Sequence, residues 1–566
     1  MKYTYQSSFT PSDSVVSLLH RGKIMDPSES PADMVSRVVS ALGEQERAFV
    51  DDTKKADAAT DTFGHLVDEG SIVLSTPILT NAGRYTDRPL SACILPPISL
   101  REDADYLKLK VDELHQQGMG TGFNLSETAD PVHILKLLND IAVEGSKSGL
   151  EQRPVGNMAI ISVYHPRIID FITAKKEAPR KNEEWKFNIS VDLDSAFFTA
   201  LHNNQSITLQ DGTTLDAQYI FQELCEAAHA CADPGIIFLE RMNKRNPVPA
   251  LGTYKATAPC AEVGLAEGEA CQFGYINVGN FIKNIHTVDP LESVDFDALE
   301  KAVQLLTRFL DDALEISIQH YASLQTQEIM RNKRKIGVGL CGVADAISRL
   351  GLSYSSAEAR QVMTDILAFI NYTSKVSSLE LAAERGSCEA MAIKEGNRYY
   401  ETPAFLTSLY GNKTARTVGK QQWEALDKKI NDSGLLRNTS TVALPPTGRS
   451  ALVVEASPGI EPHFTLEGIN QSVSSAMVAK AKQSTQQIHL ESYLAVARVI
   501  SPLDHIHMAA ALQTYTDEAI SKTINLPKGT KVSVVKEIYL KAWEEGLNGA
   551  TLYIDDTHSQ QPRTLS

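Results

Sequence analysis

Two cysteines, Cys260 and Cys271, lie eleven residues apart in the segment ATAPCAEVGLAEGEAC (256–271), and a carboxylate, Glu262, follows the first by two positions. A thiol can act as a nucleophile or as half of a redox pair, and a nearby carboxylate can act as a base. Cys93 lies in a third short apolar run, RPLSACILPP. The remaining cysteines read as structural. Cys225 and Cys231 fall on FQELCEAAHACAD at helical spacing near His229, and C-x5-C matches no common zinc pattern. Cys341 and Cys388 read as buried thiols. Two segments are candidates for contact with phosphate. In LPPTGRSALVVEASPGIEPHF (444–464), Thr447, Gly448 and Ser450 form a tight turn at a helix start, where free N–H groups suit an anion and Arg449 adds charge. An ordinary helix N-cap has the same appearance. QQGMGTGFNLS (116–126) is Gly-rich but has neither the dinucleotide fingerprint nor the P-loop lysine, so it reads equally as a close backbone approach or a simple loop. The chain contains no His-Glu-x-x-His zinc motif and no Gly-x-Ser-x-Gly elbow.

The elements that must position these residues change character near Ser71. Residues 12–70 read as polar helical pieces. Beyond them, short apolar runs such as SIVLSTPILTNAG, GNMAIISVYHP, FNISVDL, PGIIFLE, KIGVGLCG and STVALPPTG alternate with long amphipathic stretches. That alternation predicts an α/β layered or barrel domain, in which strand ends and the loops after them carry the chemistry. The final stretch, DDTHSQQPRTLS, is polar and expected to fray. With 566 residues, 43% of them hydrophobic, the chain can bury a large core as one big domain or a few smaller ones. A formal charge of −16 excludes a general electrostatic grip on nucleic acid, though not a local site for a small anion. No secretory leader and no long uncharged apolar run is visible, so a cytoplasmic protein without a membrane span is expected. Seven cysteines do not make a disulfide scaffold, and a disulfide in a reducing compartment is more often catalytic than structural.

From about Ser71 to Asp556 the chain resembles the catalytic subunit of ribonucleotide reductases, most closely the adenosylcobalamin-dependent class II enzymes. The resemblance is carried in order by STPILTNAG, RPLSACILP, GMGTGFN, GNMAIISVYHPRIIDFI, FNISVDL, DPGIIFLERMNKRNPVP, ATAPCAEVGLAEGEACQFGYINVGNF, RKIGVGLCGVADAI, LPPTGRSALVVEASPGIEPHF, HIHMAAALQTYTDEAISKTINLP and GLNGATLYID. It implies a ten-stranded α/β barrel over 71–556 with an internal finger loop, preceded by a helical region, 1–70, without an ATP-cone, and followed by a flexible tail, 557–566. It implies that Cys260 carries a thiyl radical, that Glu262 deprotonates the ribose 3′-hydroxyl, and that Cys93 and Cys271 are the redox dithiol. Thr76, Ala92, Gly122, Ala258 and the turn Thr447-Gly448-Arg449-Ser450 fall where the family holds the nucleotide.

The class assignment rests on two features. The eleven-residue spacing resembles class II enzymes, and GATLYIDDTH has Tyr553 followed by Ile554 where class I enzymes have a tyrosine pair for radical relay; Tyr553 is therefore placed on the radical or cofactor side. The implied cofactor is adenosylcobalamin, which supplies the hard chemistry. The implied partners are a ribonucleoside di- or triphosphate, an external dithiol of the thioredoxin or glutaredoxin kind, a dNTP or ATP effector, and a second copy in a homodimer. The chain departs from the family in four ways. Ala258 stands where the family has Asn. No cysteine follows Cys388, so the tail pair that re-reduces the site is missing. The segment between GTGFN and GNM is short, and Arg449 replaces a small residue. Such a compact form would suit a viral enzyme. The alternatives are a class I-type subunit served by a radical-generating partner and a non-catalytic nucleotide-binding relative.

Overall fold

The computed structural model describes residues 2–101, 103–151, 153–283, 288–463 and 500–554. The expected tail, 557–566, and Phe464 at the end of the phosphate-turn segment lie outside the described residues.

The apolar runs become strands buried on both faces, as parallel strands covered by helices are. Met158, Ala159, Ile160 and Ile161 of the strand Asn157–Ser162 are all buried. A seven-stranded sheet runs in the order Thr523–Leu526, Gly549–Ile554, Gly235–Ile237, Phe187–Asp192, Asn157–Ser162, Gly120–Asn124, Cys93–Ile94. Neighbours from Cys93–Ile94 to Gly235–Ile237 are parallel. Gly549–Ile554 then pairs antiparallel to Gly235–Ile237 and parallel to Thr523–Leu526. In a second sheet, Phe273–Asn277 pairs antiparallel to Ile72–Leu74 and parallel to Gly337–Cys341. Single bridges lie between the two sheets: Ile94 pairs with Ala270, just before Phe273–Asn277, and the segment 442–444 pairs with Val338 on one side and Ile520 on the other.

The chain therefore has the expected α/β class. A continuous ten-stranded ladder is not formed among the described residues. The expected strand STVALPPTG contributes only the bridges at Val442 and Leu444, for a local reason. The N–H groups of Thr441 and Val442 donate to the Asp517 carboxylate at 2.7 and 3.0 Å, and Pro445 and Pro446 have no N–H to offer a ladder. SIVLSTPILTNAG also divides, into the strand Ile72–Leu74 and a short helix, Thr76–Asn81, with Pro77 in its first turn.

Two cores result. The larger lies between helices and sheets. A separate inner cluster, including Val73, Met158, Ile160, Ala256, Ala258, Cys271, Phe273, Tyr275 and Ala443, is walled by inward-facing strand residues of both sheets. The N-terminal helices Asp13–Arg21, Pro31–Phe49 and Thr53–Asp68 belong to the larger core. Ser30 and Asp33 cap the second reciprocally. Phe63 of the third stacks on Phe309 of the helix Phe296–Ile318 at 4.1 Å. No helix among the described residues is long and apolar enough to cross a membrane.

Candidate active site

The segment 256–271 enters the inner core as a hairpin. Ala256–Thr257 pairs antiparallel to Gly264–Leu265, and residues 258–263 form its tip. The tip is a turn closed by Ala261 N–H donating to the Ala258 carbonyl at 2.9 Å, with Pro259 at the position that proline favours and Ala261 left-handed at φ 63°. The Gly-rich strand Gly120–Asn124 makes room for it. A Cβ on Gly122 would come 2.4 Å from the Thr257 carbonyl oxygen, and Gly120 and Gly156 lie under the Pro259 ring. The close approach foreseen for that segment is thus to the finger's own backbone. Asn188 Nδ2 donates to the Pro259 carbonyl at 3.2 Å, Ala519 N–H to the Glu262 carbonyl at 3.0 Å, and Lys335 Nζ to the Gly264 carbonyl at 2.8 Å. These bonds fix both arms and the tip.

Cys260, on the tip, is an exposed residue and lines a cavity of about 580 Å³. Asn188, Ser190, Trp185, Thr523 and Tyr553 share that cavity's wall. The surrounding protein therefore still desolvates the sulfur, and burial followed by the Glu262 carboxylate pushes the thiol well up. A thiol held as S–H suits hydrogen-atom chemistry, whereas nucleophilic chemistry needs a thiolate. Glu262 is buried, at 3% exposure, and burial raises it to about 7 against the pull of the Cys260 and Glu262 N–H groups. Its Oε2 has no hydrogen-bond partner. The carboxyl is therefore poised to exchange a proton near neutrality.

Cys93 and Cys271 meet across the bridge that joins the two sheets. Cys271 N–H donates to the Cys93 carbonyl at 3.1 Å, and Ala92 N–H donates to the Cys271 carbonyl at 3.4 Å. The two thiols are within hydrogen-bonding reach; that contact, then burial, pushes Cys93 well up. Glu262 is among the charges that act on Cys93, and Cys93 among those that act on Cys260, so finger and dithiol share one space.

At the far turn Thr447 and Gly448 both have positive φ, 56° and 49°, and a short helix, Arg449–Val453, follows. Thr447 Oγ1 accepts from Gly459 N–H at 2.8 Å, and Ser450 Oγ lies 3.2 Å from Thr76 Oγ1. Thr76 and Ser450 are thus brought together from opposite ends of the sequence. Arg449 is half-buried, and burial lowers it, with no acid acting on it. Ala258 is fully buried in the inner cluster. Cys225 and Cys231 lie on the buried face of the helix Ala217–Cys231, and burial pushes Cys231 up to about 12. Cys341 and Cys388 are buried too.

Sequence reasoning passed over two polar groups at the site. Arg153 donates through Nη2 to the Ala92 carbonyl at 3.1 Å, keeps a buried Nε without a partner, and feels both Cys93 and Arg449. In GLEQRPVGN it is indistinguishable from a surface arginine. Tyr275 follows Cys271 by four, so period-two alternation already placed both on one face.

The family described as "Ribonucleotide reductase, barrel domain" matches residues 110–553. The chain is 29% identical to the "Vitamin B12-dependent ribonucleoside-diphosphate reductase" of Mycobacterium tuberculosis (strain CDC 1551 / Oshkosh), over 93% of this chain and 76% of that protein. It is 28% identical to the protein of the same name from Thermoplasma acidophilum, over 89% and 66% of the two. It is 24% identical to the "Vitamin B12-dependent ribonucleotide reductase" of Streptomyces coelicolor, over 86% and 58%. A match that takes in the finger hairpin, Cys271 and the turn at 447–450 in one continuous span leaves one conclusion: the chain belongs to the ribonucleotide reductase barrel-domain family.

Proposed function

We propose that the protein reduces ribonucleoside diphosphates to 2′-deoxyribonucleotides by radical chemistry that depends on adenosylcobalamin. The observation that carries this reading is Cys260, a protonated thiol at a fixed loop tip, open to a large cavity and sharing the inner space with Glu262 and the Cys93–Cys271 pair. The names of the relatives support both the diphosphate and the cofactor. The cavity fits such a group: it is roomy enough for a nucleoside moiety, and Trp185, Asn188, Thr523 and Tyr553 would hold it against the sulfur. When bound there, adenosylcobalamin supplies a one-electron oxidation at Cys260 by homolysis of its cobalt–carbon bond.

The chain's own residues then divide the work. Cys260, as a thiyl, takes the hydrogen atom from ribose C3′ and returns it at the end. Glu262 takes the 3′-hydroxyl proton, for which its unpartnered Oε2 and near-neutral affinity are suited. The Cys93–Cys271 dithiol protonates the 2′-hydroxyl, which leaves as water, and gives up two electrons as it closes to a disulfide. Thr76, Ala92, Gly122, Ala258 and 447–450 bound the nucleotide's side of the site, with Arg449 on a phosphate. An external dithiol reopens the disulfide. The seven strands of one sheet and the three of the other supply the number that the family's ten-stranded barrel calls for, within a catalytic unit 71–556 that 1–70 precedes. A nucleotide effector and a homodimer complete the assembly.

The test is anaerobic. The protein is mixed with adenosylcobalamin, each ribonucleotide as di- and triphosphate, an effector mixture and a small dithiol, with Cys260→Ser alongside. Deoxynucleoside diphosphate that requires both the cofactor and Cys260 is the expected result. Product without cobalamin, given a radical-donating partner, would favour the class I-type alternative. No product under any condition would overturn the reductase reading.

A further inference from the structure

We infer that the Tyr275 hydroxyl is a catalytic hydrogen-bonding group, donating to the ribose 2′-oxygen and supplying the polar contact that Ala258 cannot make. This deepens the reductase reading and rests on it for the identity of the ligand. Ala258 is buried at the finger's turn with only a methyl group to present. Losing one preorganised polar contact in an active site costs on the order of 10²–10³ in rate, so a working site at this position needs another donor.

Tyr275 is placed for that task by its strand. Cys271, Phe273 and Tyr275 alternate onto one face, and that face belongs to the inner cluster with Ala256, Ala258 and Ala261 of the finger. Tyr275 sits in the central strand of its sheet, paired with Val73 on one side and Gly339 on the other. A Cβ on Gly339 would lie 2.9 Å from Tyr275 Cδ1, so the ring lies in the space the glycine leaves. Packing between two strands at 5% exposure fixes its direction. Glu262, Cys271, Cys341, Cys93 and Arg153 are the titratable and charged groups that face it. Among the described residues its hydroxyl makes no hydrogen bond. A phenol hydroxyl that makes no hydrogen bond among the described residues shares the inner cluster with Cys271 and feels the charge of Glu262, whose Oε2 has no partner; a vicinal diol would use both. Burial first, then the Glu262 carboxylate, pushes Tyr275 well up, so it stays an O–H donor throughout the neutral range.

The experiment uses Tyr275→Phe, which removes one oxygen and keeps the ring. Two readouts are taken anaerobically. The first is equilibrium binding of CDP against dCDP, which needs no turnover. The wild type is expected to favour CDP by about threefold to tenfold, the worth of one hydrogen bond, and Tyr275→Phe to lose that preference. The second is turnover with adenosylcobalamin, in which kcat falls on the order of 10²-fold while KM rises by no more than about the same threefold to tenfold. Ala258→Asn added to Tyr275→Phe is expected to restore part of the lost activity. Three results would each overturn the inference: no preference for CDP in the wild type, a preference that Tyr275→Phe retains, or turnover unchanged by Tyr275→Phe. A wild type that prefers CDP through Tyr275 yet makes no product would sink the reductase reading and uphold the hydrogen bond.

Discussion

A carboxylate inside an apolar core is expensive to keep charged, and Glu262, the proposed base, shows how the cost appears. Its affinity for protons is raised from about 4.5 to about 7. Below the unfolded value both states hold the proton and the site costs nothing. Between the two values only the folded state keeps it, so stability falls as pH rises, and above about 7 the loss is complete. Glu262→Gln has no such loss. We expect its stability advantage to be near zero at pH 4 and to grow to on the order of 3 kcal/mol by pH 8, measured by denaturant unfolding of both proteins. An advantage that does not change with pH would show that Glu262 is not held in this way. The same group predicts kcat rising through about pH 7 on the acid limb of the profile. Arg449 permits a separate test: with no acid acting on it, its guanidinium is available to an anion. Arg449→Ala is expected to raise the nucleotide KM about tenfold or more, the worth of one charged hydrogen bond, with kcat little changed. An unchanged KM would remove Arg449 from the phosphate site.

At the scale of elements, the finger depends on glycines that belong to other strands. The 2.4 Å that would separate a Gly122 Cβ from the Thr257 carbonyl involves backbone on the far side, which cannot swing away as a side chain can. Gly122→Ala should therefore shift the hairpin while leaving the sheet intact. Because an ångström of misplacement can cost about 10²-fold in rate, we expect activity to fall at least that far with an unchanged circular dichroism spectrum. Activity within threefold of wild type would show that the hairpin is not held by this contact. The Gly-rich segment was visible in the sequence, and a close approach was one of the two readings it allowed, but what approaches it was not legible. The partner, Thr257, is 135 residues away by its numbering, and nothing local encodes that meeting. The same holds for Thr76 with Ser450, and for Cys93 with Cys271. Family resemblance supplied the dithiol; spacing alone could not. For STVALPPTG half the reason is in its own letters, since two prolines in succession cannot continue a ladder; the capture of the Thr441 and Val442 N–H groups by the distant Asp517 is not.

For the molecule as a whole, the helical pattern of VDFDALEKAVQLLTRFLDDALEISI was legible, but the fate of its Asp-Asp pair was not. An amphipathic reading puts Asp311 and Asp312 in solvent; both are fully buried. Arg385 reaches Asp311 at 3.1 Å and Asp312 at 2.9 Å and also pairs with Glu46, while Arg334 and Arg437 approach Asp311 at 2.8 and 3.0 Å. These groups come from five separate stretches of chain, and only the assembled fold can neutralise them. Glu46 lies on an N-terminal helix, so the cluster ties residues before 70 to the body that carries the site. Breaking a buried pair by removing one partner costs about 3–5 kcal/mol, because it strands the other charge. Arg385→Met removes the arginine that pairs with Asp312, while Asp311 keeps Arg334 and Arg437 and Glu46 keeps Arg308. The protein's tryptophans, Trp185, Trp423 and Trp543, all lie beyond the N-terminal helices, so fluorescence follows the body alone while circular dichroism follows both. In the wild type the two transitions are expected to coincide, because the shared core and the cluster make the N-terminal helices part of one cooperative unit. In Arg385→Met both midpoints should fall together if packing such as Phe63 on Phe309 is sufficient to hold the helices. A helical loss that precedes the fluorescence change in the variant would instead show that the buried charges, and not the apolar contact, carry the union. Separate transitions in the wild type itself would show that the N-terminal helices fold as a unit of their own.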